Sequence, residues 1–448
     1  MDAPNFKPIA VLEVELSQPL PAVTAFDTET GRRYQRAISL VRWQHQPLGV
    51  VELYLEENGL SPADYARQIW RALGLEIREY LRQHGLPEVA ELEAVGLLSA
   101  GNPGAGQEQR PQLATLPVSI VVATRDRTAS LAACLRSLLS LDYPSYEILV
   151  VDNAPSSRAT ADFIRQEYGD SPHVRYLLED HPGLGIAHNR GLREVKSPIV
   201  AFTDDDVVVD RHWLTELVQG FYVAENVACV TGMIFPAELE TPAQVWTEQY
   251  WGLCKGFTRR VFDLQENRPK TPLYPYTAGV FGSGANMAFE TSVLRQLGGF
   301  DAALGAGSTA RGGDDLAAFF QVISGDYQLV YQPAAIVYHR HRRDYAGLRR
   351  QAYGYGVGLT AYLTKSLVDR PKLLFDFVFK VPYGLFYAFN SKSAKSINEL
   401  ASYPSELKNL ERKGMIYGPF AYLRSRWQCR KFKQQLGPVD ESKCTSVS

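Results

Sequence analysis

Cysteine is scarce in this sequence. The five cysteines (Cys134, Cys229, Cys254, Cys429 and Cys444) are scattered, odd in number and never spaced as CxxC. That excludes a zinc knuckle and a disulfide framework and points to a reducing compartment. Long apolar runs are missing too. No stretch reaches the ~18 consecutive apolar residues of a membrane-spanning helix. The nearest, LLFDFVFKVPYGLFYAF at 373–389, is interrupted by Asp376, Lys380 and Pro382. The opening MDAPNFKP has neither the basic nor the apolar region of a secretory leader. Charge of one sign is not in excess either: 47 Lys+Arg against 49 Asp+Glu give a net −2, which is no footprint for nucleic acid. Together these absences lead us to expect a cytoplasmic protein whose C-terminal segment is a candidate for peripheral contact with the inner face of a membrane.

What is present is ordinary globular composition, 45% hydrophobic and 21% charged over 448 residues, enough for two or three domains. Residues 1–97 alternate as strands (IAVLEVEL, PLGVVELYLEE) and then read as one helix from Pro62 to about His84. Tyr65, Ile69, Leu73 and Ile77 recur in it at four-residue spacing. This predicts a small N-terminal α+β domain, and it carries no chemical motif. Residues 98–116 (with SAGNPGAGQEQRPQ at 99–112) read as a linker on composition. From 117 to 345 apolar strands alternate with amphipathic helices, so we expect a mostly parallel central sheet covered on both faces. Residues 346–448 read as a helical C-terminal region.

In such sheets, ligands bind at the carboxyl ends of the strands. Asp126, Asp152 and the triplet Asp204-Asp205-Asp206 each follow a different strand, so five carboxylates should converge on one edge. Like charges gathered in a crevice call for a hard cation. Mg²⁺ and Mn²⁺ favour carboxylate and phosphate oxygens. Alternation along the strand points Asp204 and Asp206 one way and Asp205 the other. A polar turn would explain the triplet alone, but it has company. HPGLGIAHNRGL (181–192) is a glycine-containing loop that opens a helix, suited to lying close to a ligand. In GGDDLAAFFQVISG the pair Asp314-Asp315 begins a helix, where its dipole favours the ionised carboxylate.

The ordered set VSIVVATRDR, EILVVDNAPS, GLGIAHNRGL, AFTDDDV, GSGANMAFE, GGFD, GGDDLAAFF and VYHRH resembles the inverting family-2 glycosyltransferases of the GT-A fold over residues 117–345. The resemblance implies a GT-A nucleotide-diphospho-sugar transferase domain that moves sugar from a nucleoside-diphosphate donor to a glycan or lipid-linked acceptor with help from Mg²⁺ or Mn²⁺. It also implies roles. Thr124, Arg125, Asp126 and Asp152 match the nucleoside pocket. Asp204 matches the acid nearer the ribose, with Asp205 beside it in the donor site, and Asp206 the acid on the metal. Asp315 matches the general base, with Asp314 where the family has Glu, so the choice of base stays open between the two. His339, with His341 close behind, matches a late metal-site histidine. The family's Ala-Arg-Asn is Ala187-His188-Asn189-Arg190 here, so either His188 or Arg190 would take the arginine's place.

Four further readings follow from the residues. Trp246 and Tyr250 share a helix face, as packing or as an acceptor platform for a sugar ring. The loop GAGSTARGG (305–313) is a candidate lid. Arg342, Arg343, Arg349 and Arg350 form a basic group suited to solvent, to acceptor phosphates or to lipid headgroups. The rival to an enzyme is a non-catalytic carbohydrate-binding protein on the same fold, against which the intact metal pair and acid pair both argue.

Overall fold

The computed structural model describes residues 6–28, 30–97, 116–389 and 403–435. The expected linker at 98–116 falls outside the described residues apart from its last position.

The N-terminal segment forms strands β1 (Ile9–Glu15), β2 (Phe26–Asp27), β3 (Arg32–Arg33), β4 (Arg36–Trp43) and β5 (Gln46–Tyr54). β1, β4 and β5 make a three-stranded sheet, and β2 pairs with β3. Helix α1 (Pro62–Gln83) covers the sheet with buried Tyr65, Ile69, Leu73 and Ile77. Ser61 starts it by accepting from the Asp64 N–H, and Pro62 fills the first turn, where no N–H is needed.

The larger unit is built on a nine-stranded sheet in the order β10-β14-β11-β13-β9-β6-β7-β8, with β12 on β14. The strands are β6 (Val118–Thr124), β7 (Tyr146–Asn153), β8 (Val174–Glu179), β9 (Ile199–Asp204), β10 (Val207–Val209), β11 (Val227–Pro236), β12 (Arg260–Phe262), β13 (Asn286–Glu290) and β14 (Gln328–His339). β6, β7, β8, β9, β11 and β14 run one way, while β10, β12 and β13 run against them. The buried apolar run VSIVVAT sits at the middle because helices cover both of its faces. Helices α2 (Thr128–Leu138), α3 (Ala159–Tyr168), α4 (Leu184–Glu194), α5 (Trp213–Gly220), α6 (Pro242–Trp251), α7 (Thr291–Gln296) and α8 (Asp314–Ser324) follow in chain order.

From β6 the chain steps outward through β7 and β8, then returns to place β9 on the other side of β6. Strand order therefore reverses at β6. A crevice opens where the order reverses, and Thr124 and Asp204 are the terminal residues of β6 and β9.

One buried polar group ties the second half of the sheet together. Asn286, fully buried, accepts from the Trp213 indole N–H (2.8 Å) and donates to the carbonyls of Met233 and Ala335 (both 2.8 Å). Three strands thus share one amide, which is why GSGANMAFE carries an asparagine. The N-terminal unit joins this half through Leu40 against Met233, Phe235 and Ile336. Arg42 adds a buried bridge to Glu13 (2.6 Å) and Asp210 (2.7 Å).

Helices α9 (Tyr345–Asp369) and α10 (Leu373–Phe389) follow, and a long C-terminal helix spans Ser405–Gln435. α9 and the C-terminal helix touch backbone to backbone. A Cβ at Gly356 would sit 1.9 Å from the Glu411 carbonyl, and one at Gly414 2.3 Å from that of Tyr353. Among the described residues no helix is long and apolar enough to cross a membrane.

Candidate active site

Sheet register assembles the acidic edge. β10 pairs with β14 so that Val207 faces His339, and the Arg340 N–H donates to the Asp206 carbonyl (3.0 Å). A histidine more than 130 positions away in sequence is thereby delivered to the triplet. Ligand atoms of Asp204, Asp206 and His339 all lie within 4.8 Å of one another, and His339 Nε2 is 3.4 Å from Asp206 Oδ1.

Asp205 lies with Asp206 in the two-residue turn between β9 and β10, where strand alternation no longer applies. It accepts from the Thr124 hydroxyl (2.7 Å) and from Arg127 (2.5 Å), and Arg127 also reaches Asp206 (3.1 Å). Arg127 therefore cross-links two members of the triplet.

Burial, then the adjacent Asp206 charge, pushes the Asp204 carboxyl up to about 7. Burial works to raise Asp206 as well, but the His339 hydrogen bond and the charges of His339, Arg127 and Arg342 hold it well below the usual carboxylate range. Burial opposes a charge on His339, and the Asp206 carboxylate overrides it, so that the imidazole is raised. Two carboxylates and one imidazole suit a divalent cation of the Mg²⁺ or Mn²⁺ type, which would displace the proton this cluster otherwise holds.

His341 forms a second layer. It is buried, its Nδ1 lies 3.0 Å from His339 Nδ1, and its Nε2 lies 3.1 Å from Glu248 Oε2. A carboxylate only accepts, so His341 donates from Nε2 and offers its Nδ1 lone pair. His339 then donates from Nδ1, which turns its Nε2 toward the acidic pair.

The second acid pair opens α8 after Gly313, whose φ of +82° suits glycine. Asp315 is clasped by backbone: Oδ2 accepts from the Gly284 N–H (2.9 Å) and Oδ1 from the Leu316 N–H (2.8 Å). Burial raises its carboxyl while these N–H groups oppose the rise. Gly284 permits the contact, since a Cβ there would stand 3.3 Å from Asp315 Cβ. Asp314 is buried, and burial together with the Asp315 charge pushes it up to about 8. Its Oδ2 lies 3.7 Å from His188 Nδ1.

A cleft of about 790 Å³ opens beside the triplet. The chain ends of the sheet contribute Thr124, Arg125, Arg127, Asn153, Asp204, Asp205, Asp206 and His339. The facing wall comes from Arg311, Arg342, Arg350, Gln351 and Tyr355, mostly on α9. The basic group thus divides. Arg342 and Arg350 line the cleft, whereas Arg343 pairs with Glu238 (2.8 Å) and Glu240, and Arg349 pairs with Glu406 (2.8 Å).

Asp126 and Asp152 do not line the cleft themselves, although their neighbours Arg125, Arg127 and Asn153 do. Asp126 accepts from the Ser156 N–H and hydroxyl (both 2.9 Å), and these bonds lower its carboxyl. Asp152 is buried and receives the Tyr176 hydroxyl (3.0 Å) on Oδ2, while Oδ1 has no protein partner.

Two expectations need correcting on geometry. His188 and Arg190 do not face the cleft. His188 is packed between Phe202 and Phe300 with neither ring nitrogen hydrogen-bonded, and burial lowers it to about 3. Arg190 turns outward to Glu194 and the Leu178 carbonyl. The two positions are about 200° apart around the helix, so His188 turns into the core beside Asp314 and Arg190 turns outward. Trp246 and Tyr250 are packing residues rather than an acceptor platform. Trp246 meets Tyr345 edge-on, while Tyr250 stacks on Tyr403 (4.0 Å) and donates to Glu411 (2.8 Å). Both are spent on holding the C-terminal helices.

Residues that the sequence reading did not assign to the site are Arg127, Asn153, Arg311, Gln351, Tyr355 and Glu248. Arg127 stands in the ATRDR motif and was within reach of that reading. Asn153 follows Asp152 in ILVVDNAPSS and Arg311 lies in the GAGSTARGG loop, while Gln351, Tyr355 and Glu248 lie on helical segments that reach the site only through packing.

A reversing α/β sheet with a carboxylate–imidazole cluster at the switch point defines a domain of the GT-A type. Residues 116–353 match the family model described as glycosyltransferase like family 2, and the chain belongs to that family. It is similar to the pre-mycofactocin glycosyltransferase of Mycobacterium tuberculosis, 26% identical over 303 residues, 66% of this chain and 57% of that protein. It is also similar to the poly-beta-1,6-N-acetyl-D-glucosamine synthase of Staphylococcus epidermidis, 24% identical over 245 residues and 54% of each. The chain therefore spans little more than half the length of these relatives. Among solved structures, the mannosyltransferase PcManGT of Pyrobaculum calidifontis, in complex with GDP-Man and Mn²⁺, aligns at 17% identity and a TM-score of 0.41 over 72% of this chain and 76% of that one.

Proposed function

We propose that the protein transfers a sugar, with inversion, from a nucleoside-diphosphate sugar to an acceptor hydroxyl in polysaccharide or glycoconjugate synthesis, with Mg²⁺ or Mn²⁺ held by Asp206, His339 and Asp204. The observation that carries this is the approach of those three ligand sets to within 4.8 Å at the strand-order reversal. When bound, the cation supplies charge neutralisation for a diphosphate leaving group. Arg125, Arg127, Arg342 and Arg350 surround the same space and would orient the phosphates. Asp152, with an unpartnered Oδ1, and Asp126 suit the nucleoside, with Thr124 between them and the triplet.

Asp315 is the better base of the acid pair. Burial raises both carboxyls, Asp314 the more because the Asp315 charge adds to it, while two backbone N–H groups favour the Asp315 carboxylate. In the transfer the acceptor oxygen bonds to the anomeric carbon, the bond to the diphosphate breaks, and the hydroxyl proton passes to Asp315.

Calorimetry with UDP, GDP, dTDP and CDP, with and without Mn²⁺, tests the donor site in the wild type, Asp206→Ala and Asp315→Asn. One diphosphate should bind only with Mn²⁺ and only when Asp206 is present. Asp315→Asn should bind it normally yet lose about 10²–10⁴-fold in transfer. Binding indifferent to both metal and Asp206 would sink the proposal.

A further inference from the structure

We propose that the outer face of the C-terminal helix is a docking surface for an anionic lipid bilayer, on which the protein lies without crossing it. Ile416, Phe420, Leu423 and Trp427 are 70%, 69%, 52% and 56% exposed. Their spacing of four, three and four residues puts them in one stripe at about 100° per residue, roughly 17 Å long at 1.5 Å rise. The opposite face is occupied: Gly414, Gly418, Ala421, Tyr422 and Ser425 are buried. Apolar side chains this exposed, in a row, mark an interaction surface.

Charge identifies the occupant. Exposed Lys413 and Lys431 lie on one side of the stripe with Arg424, and exposed Arg430 lies on the other. From 412 to 431 the helix has no Asp or Glu. The Lys431 ammonium sits 3.8 Å from the Trp427 ring centroid, so the lysine stem runs along the apolar face and its charge reaches the rim. An apolar stripe between basic rims is the pattern of a helix lying in a lipid headgroup layer. A second copy of this chain would set basic rim against basic rim, and an acidic membrane surface would not.

A second helix also carries exposed apolar side chains. Leu374, Phe375, Val378 and Phe379 of α10 are 53%, 78%, 58% and 84% exposed. Arg426 reaches Asp369 (3.4 Å), four residues before α10 begins. The Trp427 end of the stripe therefore lies close to the start of the second apolar face.

The test is flotation of the full chain with vesicles of phosphatidylcholine alone and of phosphatidylcholine with an equal part of phosphatidylglycerol. We expect flotation with the anionic vesicles that weakens in high salt, and little with the neutral ones. Each basic residue near such a surface is worth roughly fivefold in binding, so Lys413→Gln/Arg424→Gln/Lys431→Gln should lose about a hundredfold. Phe420→Ser/Trp427→Ser should abolish flotation while keeping the wild-type melting temperature, because both side chains project into solvent. Failure to float with either vesicle, or equal flotation of the double serine variant, overturns the proposal. So does a dimer in light scattering that becomes monomeric in the same variant, because a second copy then covers the stripe.

Discussion

Removing Glu248 tests the two-histidine layer behind the acidic pair. The carboxylate leaves His341 one tautomer, His341 then leaves His339 one donor, and His339 Nε2 is aimed at Asp206 by default. Three contacts of 3.1, 3.0 and 3.4 Å transmit this order. In Glu248→Ala the buried His341 ring is free to carry its hydrogen on Nδ1, where it meets the N–H of His339 head-on. Loss of such an outer partner typically costs ten- to a hundredfold in metal affinity, or about 1.4–2.7 kcal/mol. Glu248→Ala and His341→Phe should both weaken Mn²⁺ binding by that amount in calorimetric titration near pH 8. Glu248→Gln, which keeps an acceptor oxygen, should recover part of the loss. A separate melt accounts for the unsatisfied N–H left on His341, worth about 1–3 kcal/mol of stability. Wild-type Mn²⁺ affinity in Glu248→Ala would refute the tautomer chain and leave sheet register alone to orient His339.

Two further outcomes follow. Because Asp204 is pushed up to about 7 and His339 is raised by Asp206, a cation must displace protons near neutrality. Mn²⁺ affinity should therefore fall as pH drops below that range and strengthen as pH rises through it, with proton release visible as a buffer-dependent binding enthalpy; a flat profile from pH 6 to 8 would contradict it. Gly356→Ala drives a methyl to within 1.9 Å of the Glu411 carbonyl. It should destabilise the C-terminal half by about 1–3 kcal/mol, read as a lower melting temperature.

The sheet and the acidic edge were legible because each rests on local physics. Apolar runs such as VSIVVAT specify buried strands, acids that follow successive strands mark their carboxyl edge, and Asp314 begins α8 where its glycine-led helix start indicated. Direction within the triplet was not legible, because alternation needs a strand and Asp205 and Asp206 lie in the turn between β9 and β10, both held by Arg127. What sequence left open depends on contacts between distant segments. Nothing in AHNRG says that His188 will be caged by Phe202 and Phe300. Trp246 and Tyr250 have the spacing of a sugar platform and of a packing face alike, and only Tyr345 and Tyr403, remote in sequence, decide for packing. The same holds for the division of the arginines, where Glu238 and Glu406 claim two of four.

Helix α9 has two jobs on opposite sides. One side lends Arg350, Gln351 and Tyr355 to the cleft, and the other meets the C-terminal helix backbone to backbone. The family match ends at residue 353, inside this helix. A fragment trimmed to the matched region would keep every carboxylate of the edge yet amputate Tyr355 and the glycine seam that braces the wall. Most of the wall, Arg311, Arg342, Arg350 and Gln351, lies within the matched region, and its Tyr355 end shares one rod with the glycine seam beyond it.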